Sequence, residues 1–226
     1  MQHHRLAAPA LAGMMAAGSK TARMPCRQMR HAPPIPDFRR PPPYNARMNL
    51  RPFQGITPTL GQRVWIDPGA HVIGDVLIGD DSSVWPGTVI RGDVNRIRIG
   101  ARTNVQDGAI VHVTHEGPFT RPGGFPTIIG DDVTIGHGAV IHACTLEDVC
   151  LVGMHATVLD GATVKKHGFV GAGAVVSPGK TVGEGELWLG SPARMVRKLS
   201  DREIEALHYS AQHYVRLKDK YLAGGA

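Results

Sequence analysis

The chain has 226 residues, 25 Lys and Arg against 19 Asp and Glu, and a formal net charge of +6. This length allows one sizeable domain with appendages. No apolar run reaches about 18 residues, which argues against a transmembrane helix. Three cysteines without a framework spacing argue against a secreted disulfide scaffold. We therefore expect a cytoplasmic protein with no membrane partner.

The positive charge lies in residues 1–48, which hold eight Lys or Arg and one acidic residue, Asp37, and so sum to +7. The remaining residues sum to −1, so they give no charge argument for a nucleic-acid partner, and we predict none. Residues 1–48 also hold eight prolines and show no apolar periodicity, which predicts a disordered extension. The composition leaves open a dispensable tail, an organellar transit peptide, a functional arm, or a start at Met48.

Aliphatic residues recur every six positions through most of the body of the chain. The series run from Ile66 to Ile90, Ile99 to Val111, Ile129 to Ile141 and Leu146 to Val182. A helix would need a period of about 3.6 residues and few glycines. The six-residue period predicts short strands, three to a coil, in an all-β solenoid over residues 49–199.

A helix is predicted after the solenoid, over residues 200–222. Gly190 and Pro192 end the repeat, and "SDRE" then forms a capping box with Ser200 as N-cap and Glu203 at the third helical position. Apolar residues follow at helical spacing on one face, which indicates a helix that packs along the solenoid. These residues are Ile204, Leu207, Ala211, Val215 and Leu222.

Stacking brings distant polar residues together, because residues one coil (18 positions) apart lie about 4.8 Å apart. The repeat skips residues 115–126, which we interpret as a loop leaving the coil. His112 and His142 are 30 positions apart, so removing these 12 puts one directly above the other. The same count puts Asp107 under His137, with Gln106 beside it. Removing a three-residue slip within 91–98 puts Arg91 under His112.

His137 and His142 are five residues apart, which is about 15 Å along an extended strand. Zinc–nitrogen bonds are about 2.0–2.1 Å, so one chain cannot bring both histidines to one zinc ion. A three-fold trimer can, if His137 of one subunit meets His112 and His142 of the next. The alternative is that these histidines are ordinary surface or turn residues in a tolerant repeat.

Four stretches resemble the γ-class carbonic anhydrase-like family. They are "VWPGTVIRGDVNRIRIGARTNVQDGAIVH" (84–112), "IGHGAVIHAC" (135–144), "LVGMHATVLDGA" (151–162) and "SPARMVRKLS" (191–200). The resemblance spans about residues 50–222. It implies a homotrimer of left-handed parallel β-helices of hexapeptide repeats, each with a C-terminal α-helix packed alongside, and a metal at every subunit interface.

The resemblance also implies roles for individual residues. The metal ligands would be His112, His137 and His142, and the ion Zn2+, with Fe2+ or Co2+ as alternatives. Salt bridging between subunits and orientation of the metal-bound water would fall to the family's Arg, Asp, Gln and Asp positions, which here are Arg91, Asp93, Gln106 and Asp107. The implied reaction is the reversible hydration of CO2 to bicarbonate by a His3-bound metal hydroxide.

The sequence departs from the family's archetype at its proton-shuttle glutamates. Val94 follows Asp93 where the archetype has a glutamate, and the loop that leaves the coil offers only Glu116 and His115. Two alternatives therefore stay open beside the hydratase. One is a catalytically weak or inactive metal-binding or scaffold protein, and the other is a hexapeptide-repeat acyltransferase.

Overall fold

The computed structural model describes residues 49–224, so the predicted N-terminal extension lies outside the described residues. Within that range the chain is a parallel β-helix followed by one α-helix, which confirms the predicted fold class. Every aliphatic residue of the six-residue series lies in one continuous buried core, from Ile66 at one end to Val182 at the other. The repeat therefore forms the inner lining of the coil.

A 12-stranded sheet forms two of the three faces of the coil, because its two longest strands, β4 and β6, continue from one face to the next. What we call the first face contains β8, β11, β14 and β17 above the first halves of β4 and β6. The second face contains β9, β12, β15 and β18 above their second halves. The strands are β1 (Asn49–Arg51), β2 (Thr59–Leu60), β4 (His71–Ile78), β6 (Val89–Ile99), β8 (Ile110–His112), β9 (Thr127–Ile129), β11 (Val140–His142), β12 (Thr145–Leu146), β14 (Thr157–Val158), β15 (Thr163–Val164), β17 (Val175–Val176) and β18 (Thr181–Val182).

An eight-stranded sheet forms the third face. Its strands are β3 (Trp65–Ile66), β5 (Ser83–Val84), β7 (Asn104–Val105), β10 (Thr134–Ile135), β13 (Leu151–Val152), β16 (Phe169–Val170), β19 (Glu186–Gly190) and β20 (Ala193–Lys198). All pairs in it are parallel except β19 with β20, which form an antiparallel hairpin. Gly190 and Pro192, the residues that break the repeat, lie at the turn of this hairpin. The repeat pattern does not predict the hairpin.

The helix α1 (Asp201–Leu222) begins at the predicted N-cap, Ser200, and has both hydrogen bonds of the capping box with Glu203. It packs on the third face, against β3, β5, β7 and β10. Within residues 49–224, no helix combines the length and apolar character needed to cross a membrane.

The buried side of α1 includes a lysine that the predicted apolar face did not contain. Leu207 and Ala211 are buried as predicted, but the side chain of Lys218 is also 0% exposed. Its ammonium donates to Asp81 at 2.8 Å and to Asp219 at 2.6 Å. Arg63 contacts the same two carboxylates, at 2.8 Å and 3.0 Å, so four charges join the end of the helix to the first coils.

The helix also covers polar side chains that point outward from the third face. Ser83, Asn104 and Thr134 are buried there, each one coil above the last. Asn104 donates to the hydroxyl of Thr134 at 3.0 Å, and that hydroxyl lies 3.1 Å from the hydroxyl of Ser210 on α1. These buried polar groups are thus hydrogen-bonded, as burial requires.

The register of the strands agrees with the stacking argument. β11 pairs with β8 so that His142 lies opposite His112. The loop between them leaves the coil through Thr114 and Phe125, whose backbones exchange two hydrogen bonds of 3.0 Å. The three-residue slip is also present, because Gly74 pairs with Gly92 whereas Val76 pairs with Ile97.

Candidate metal centre

Two histidine rings meet at the corner between the first and second faces. His112 ends β8 and His142 ends β11, one coil apart, so their side chains leave the same corner. Nδ1 of His112 lies 3.2 Å from Nε2 of His142. Two nitrogens that bind one tetrahedral zinc ion at 2.0–2.1 Å would be about 3.3–3.4 Å apart. The separation therefore suits two ligands of one ion.

A carboxylate contacts the other nitrogen of each ring. Asp93 lies 3.1 Å from Nε2 of His112, and Asp160 lies 2.6 Å from Nδ1 of His142. Burial raises the pKa of Asp93, but hydrogen bonds from Arg91 and His112 outweigh it, and the net pKa is lowered. The pKa of Asp160 is also lowered, because hydrogen bonds from Thr114 and His142 outweigh its burial. Both groups are thus carboxylates at neutral pH.

These contacts fix which nitrogens can bind a metal. A carboxylate only accepts hydrogen bonds, so the nitrogen that faces it must carry the proton. Neutral rings of His112 and His142 then turn two lone pairs toward each other at 3.2 Å, which is repulsive unless a cation lies between them. Burial lowers the pKa of His112, so a proton is disfavoured there. The donor set fits a divalent metal that prefers imidazole nitrogen.

The third predicted ligand lies at a different corner of the same chain. His137 is in the turn between β10 and β11, where the third face meets the first. Its Nδ1 lies 2.9 Å from Asp107, and the peptide nitrogen of Gly138 donates to the carbonyl of Asp107 at 2.8 Å. Asp107 thus lies one coil below His137, in agreement with the stacking count. Among residues 49–224, no three His, Cys, Asp or Glu side chains of one chain converge on a common metal position.

The other predicted site residues lie beside these two corners. Arg91 forms a close ion pair with Asp93 in the same chain, and 43% of its side chain is exposed. Gln106 is buried, and its amide donates to the side-chain oxygen of Asn104 at 3.0 Å. On α1, burial raises the pKa of the Tyr214 phenol, and the charge of nearby Asp107 raises it further.

Sequence reasoning missed Asp160, although a signal for it was available. Asp160 is 18 positions after His142, so the rule that paired His112 with His142 also puts Asp160 one coil above His142. Thr114, which donates to the second oxygen of Asp160, follows no periodic rule, because it lies at the mouth of the excursion loop.

The chain is similar to known proteins over most of its described length. A family model described as bacterial transferase hexapeptide (six repeats) matches residues 57–92. The Escherichia coli protein YrdA is 49% identical over 78% of this chain and 95% of that protein. A probable carbonic anhydrase of Methanocaldococcus jannaschii is 47% identical over 71% of this chain and 96% of that protein. The mitochondrial γ carbonic anhydrase 1 of Arabidopsis thaliana is 48% identical over 75% of this chain, which spans 61% of that longer protein.

A solved structure supports the assignment to hexapeptide-repeat proteins. The crystal structure of a hexapeptide transferase family protein from Anaplasma phagocytophilum is 40% identical and superposes with a TM-score of 0.71. The match covers 77% of this chain and 98% of that one. On its fold, its repeat and these relatives, the chain belongs to the γ carbonic anhydrase-like family of hexapeptide-repeat proteins.

Proposed function

We propose that this chain is a γ-type carbonic anhydrase that catalyses the reversible hydration of CO2 to bicarbonate. The observation that carries the proposal is the 3.2 Å separation between Nδ1 of His112 and Nε2 of His142, with a carboxylate behind each ring. Such an arrangement is typical of imidazole ligands whose second nitrogen is held by an outer partner. The carbonic anhydrase relatives support the choice of reaction.

The proposed metal is Zn2+, with Fe2+ or Co2+ as alternatives, because three neutral imidazoles suit each of these ions. When bound, the ion would act as a Lewis acid and lower the pKa of a water molecule. The chain's own residues then hold the ligands and the reacting water. Asp93 and Asp107 fix two of the histidine rings, and Gln106, held by Asn104, would orient the water.

The proposed assembly is a homotrimer in which the first face of each subunit packs against a neighbour. His137 and His142 lie at opposite edges of this face. The outward residues between those edges are mainly apolar and not fully buried within one chain: Val89, Ile110, Val140 and Val175. An apolar stripe of this kind marks a protein interface. His137 would then complete the metal centre of the neighbouring subunit.

Metal analysis and a CO2 hydration assay on the wild type and His137→Ala test the proposal. We expect about one metal per chain and measurable hydration in the wild type, and loss of both in the variant. A purified trimer with stoichiometric metal but hydration no faster than buffer would contradict it. The non-catalytic metal-binding scaffold would then be the better assignment.

Mixed trimers test the sharing of the site between subunits. His112→Ala and His137→Ala each damage every site in a uniform trimer. In a mixed trimer, some interfaces join His112 of a His137→Ala subunit to His137 of a His112→Ala subunit. Unfolding the two variants together and refolding them should therefore restore part of the metal binding. No recovery in trimers shown by mass to be mixed would exclude a site shared in this way.

The second candidate is an acyltransferase, which the hexapeptide transferase description of the family model and of the Anaplasma structure favours. Such a function would not need the paired histidine nitrogens. Turnover of acetyl-coenzyme A that survives treatment with a chelator would support the acyltransferase. Loss of all activity with the metal would favour the hydratase.

We propose a cytoplasmic location for the mature protein. The basic residues 1–48 keep import into an organelle as the competing possibility, since three Arabidopsis thaliana relatives are named as mitochondrial. A fluorescent fusion of the full chain and of residues 49–226 distinguishes the two. Organellar signal that is lost on removal of residues 1–48 would assign them as a transit peptide.

A further inference from the structure

Asp160 connects the His142 ring to the mouth of the excursion loop. One carboxylate oxygen lies 2.6 Å from Nδ1 of His142, and the other accepts a hydrogen bond from the hydroxyl of Thr114. Thr114 is held in turn by the two backbone hydrogen bonds to Phe125 and by the amide of Asn95, which donates to its carbonyl at 3.1 Å. The side chain of Asp160 is about one-third exposed in a single chain. It lies at the corner between the first and second faces, beside His142.

We propose that Asp160 is a positioning residue that keeps His142 in the Nδ1–H tautomer, so that its Nε2 presents a lone pair beside His112. The role of this tautomer in metal binding rests on the proposed function. The contacts of Asp160 with His142 and Thr114 do not depend on it. Asp160 lies outside the Arg-Asp and Gln-Asp pairs that the family resemblance points to. It adds a third carboxylate, so that each of the three histidines has its own: Asp93, Asp107 and Asp160.

The tautomer matters because only one nitrogen of His142 faces the site. If the proton moved to Nε2, the ring would turn an N–H toward Nδ1 of His112, and that pair could not share a cation. A carboxylate at Nδ1 opposes this shift, because it accepts a hydrogen bond and cannot donate one. Thr114 has the supporting role of holding the second oxygen, which prevents the carboxylate from rotating away from the ring.

Nitrogen-15 NMR of the histidine side chains in the metal-free full chain measures the tautomer directly. We expect His142 to be mainly Nδ1–H in the wild type and to shift toward Nε2–H in Asp160→Ala. Thr114→Val should give a smaller shift in the same direction. In Glu147→Gln, which removes an exposed acid paired with Lys165 on another part of the coil, the His142 signals should match the wild type.

Competition with a chelator measures the consequence for Zn2+ and Co2+ binding. We expect Asp160→Ala to bind each ion about 10- to 100-fold more weakly than the wild type, the range for loss of an outer partner of a metal-binding histidine. Asp160→Asn, whose amide oxygen can still accept from Nδ1, should recover part of the affinity and of the tautomer preference.

The two measurements separate this inference from the proposed function. If Asp160→Ala keeps the Nδ1–H tautomer and binds Zn2+ within twofold of the wild type, while folding normally, Asp160 has no positioning role. If the wild type binds no metal but Asp160→Ala still changes the tautomer of His142, the positioning role stands and the metal-dependent function fails.

Discussion

At the scale of single residues, the candidate metal centre has a carboxylate in contact with each of its three imidazoles. Asp93 has two partners, Arg91 and Nε2 of His112. The arginine compensates the charge of a partly buried carboxylate, and the carboxylate in turn fixes the ring. A substitution at Asp93 should therefore weaken the proposed metal centre and, to a smaller extent, the stability of the fold.

Asp93→Asn is expected to weaken Zn2+ binding about 10- to 100-fold, because the His112 ring loses a charged acceptor. The thermal midpoint of the metal-free protein should fall only slightly, because the ion pair with the partly exposed Arg91 is lost as well. Chelator competition and calorimetry measure the two quantities. The matched control is Asp75→Asn, which breaks another Arg–Asp pair on the neighbouring strand, with Arg98 at 2.7 Å. Equal losses of affinity in both variants would show that the effect is not specific to His112.

The ion cluster at the end of α1 gives the stability of the protein a defined dependence on pH. Burial raises the pKa of Asp81, but hydrogen bonds from Lys218 and Arg63 outweigh it and leave the pKa below its ordinary value of 3.8. A lowered pKa in the folded state stabilises the protein above pH 3.8, and the contribution is lost as the pH falls below that value.

Asp81→Asn should lower the free energy of unfolding by about 1–3 kcal/mol at pH 7, because the fully buried Lys218 then has Asp219 as its one charged partner within residues 49–224. The difference from the wild type should shrink as the pH falls below 3.8. Urea unfolding at pH 7, 4 and 3 provides the measurement. Asp75→Asn, which breaks the partly exposed pair with Arg98, should cost less, about 1 kcal/mol at most. A difference that stays constant over this pH range would contradict the assignment.

At the scale of elements, the excursion loop is closed by its own backbone. Thr114 and Phe125 are already paired like the ends of a hairpin, and the strands on either side of them belong to the stack. The length of the loop beyond that pair therefore has no bearing on how His142 stacks over His112.

Replacing residues 115–124 with Asn-Gly, a pair suited to a two-residue hairpin turn, should leave the fold and the metal affinity intact. The shorter loop should stabilise the protein by about 1 kcal/mol at most, through a smaller closure entropy. Thermal unfolding and chelator competition measure these effects. A large loss of metal affinity would mean that the residues of the loop take part in the site.

The sequence predicted the elements that obey a period, and missed those that depend on contacts between elements. The six-residue series, the capping box at Ser200 and the stacking of His142 on His112 follow from local rules. The burial of Lys218 does not, because it needs Asp81 from a distant coil to supply a charge. The β19–β20 hairpin was missed because it reverses direction where the repeat has already ended. Asp160 was within reach of the 18-residue rule.

At the scale of the whole molecule, α1 covers the third face, and among residues 49–224 the first and second faces carry exposed apolar side chains. Ile110 lies on the first face and is 46% exposed, and Leu77 lies on the second face and is 42% exposed. The two residues thus form a matched pair for locating an interface. Only the first face has His137 and His142 at its edges.

Ile110→Arg should convert the proposed trimer into a folded monomer, because it introduces a charge into the apolar stripe. Leu77→Arg should leave the trimer intact. Light scattering gives the mass, and circular dichroism shows that each variant is folded. Dissociation by Leu77→Arg alone would move the interface to the second face and remove the basis for a shared metal centre.

The C-terminal helix has a consequence for how the molecule comes apart. In a repeat protein each coil contacts only its neighbours, so the terminal coils are free to fray one at a time. Here α1 starts beside the hairpin of the final coil, where Glu203 pairs with Arg197, and finishes against the opening coils, where Asp219 pairs with Arg63. The helix α1 thus contacts both the first and the last coils of the solenoid. We therefore expect the whole solenoid to unfold as one cooperative unit, without separate unfolding of the coils at either end.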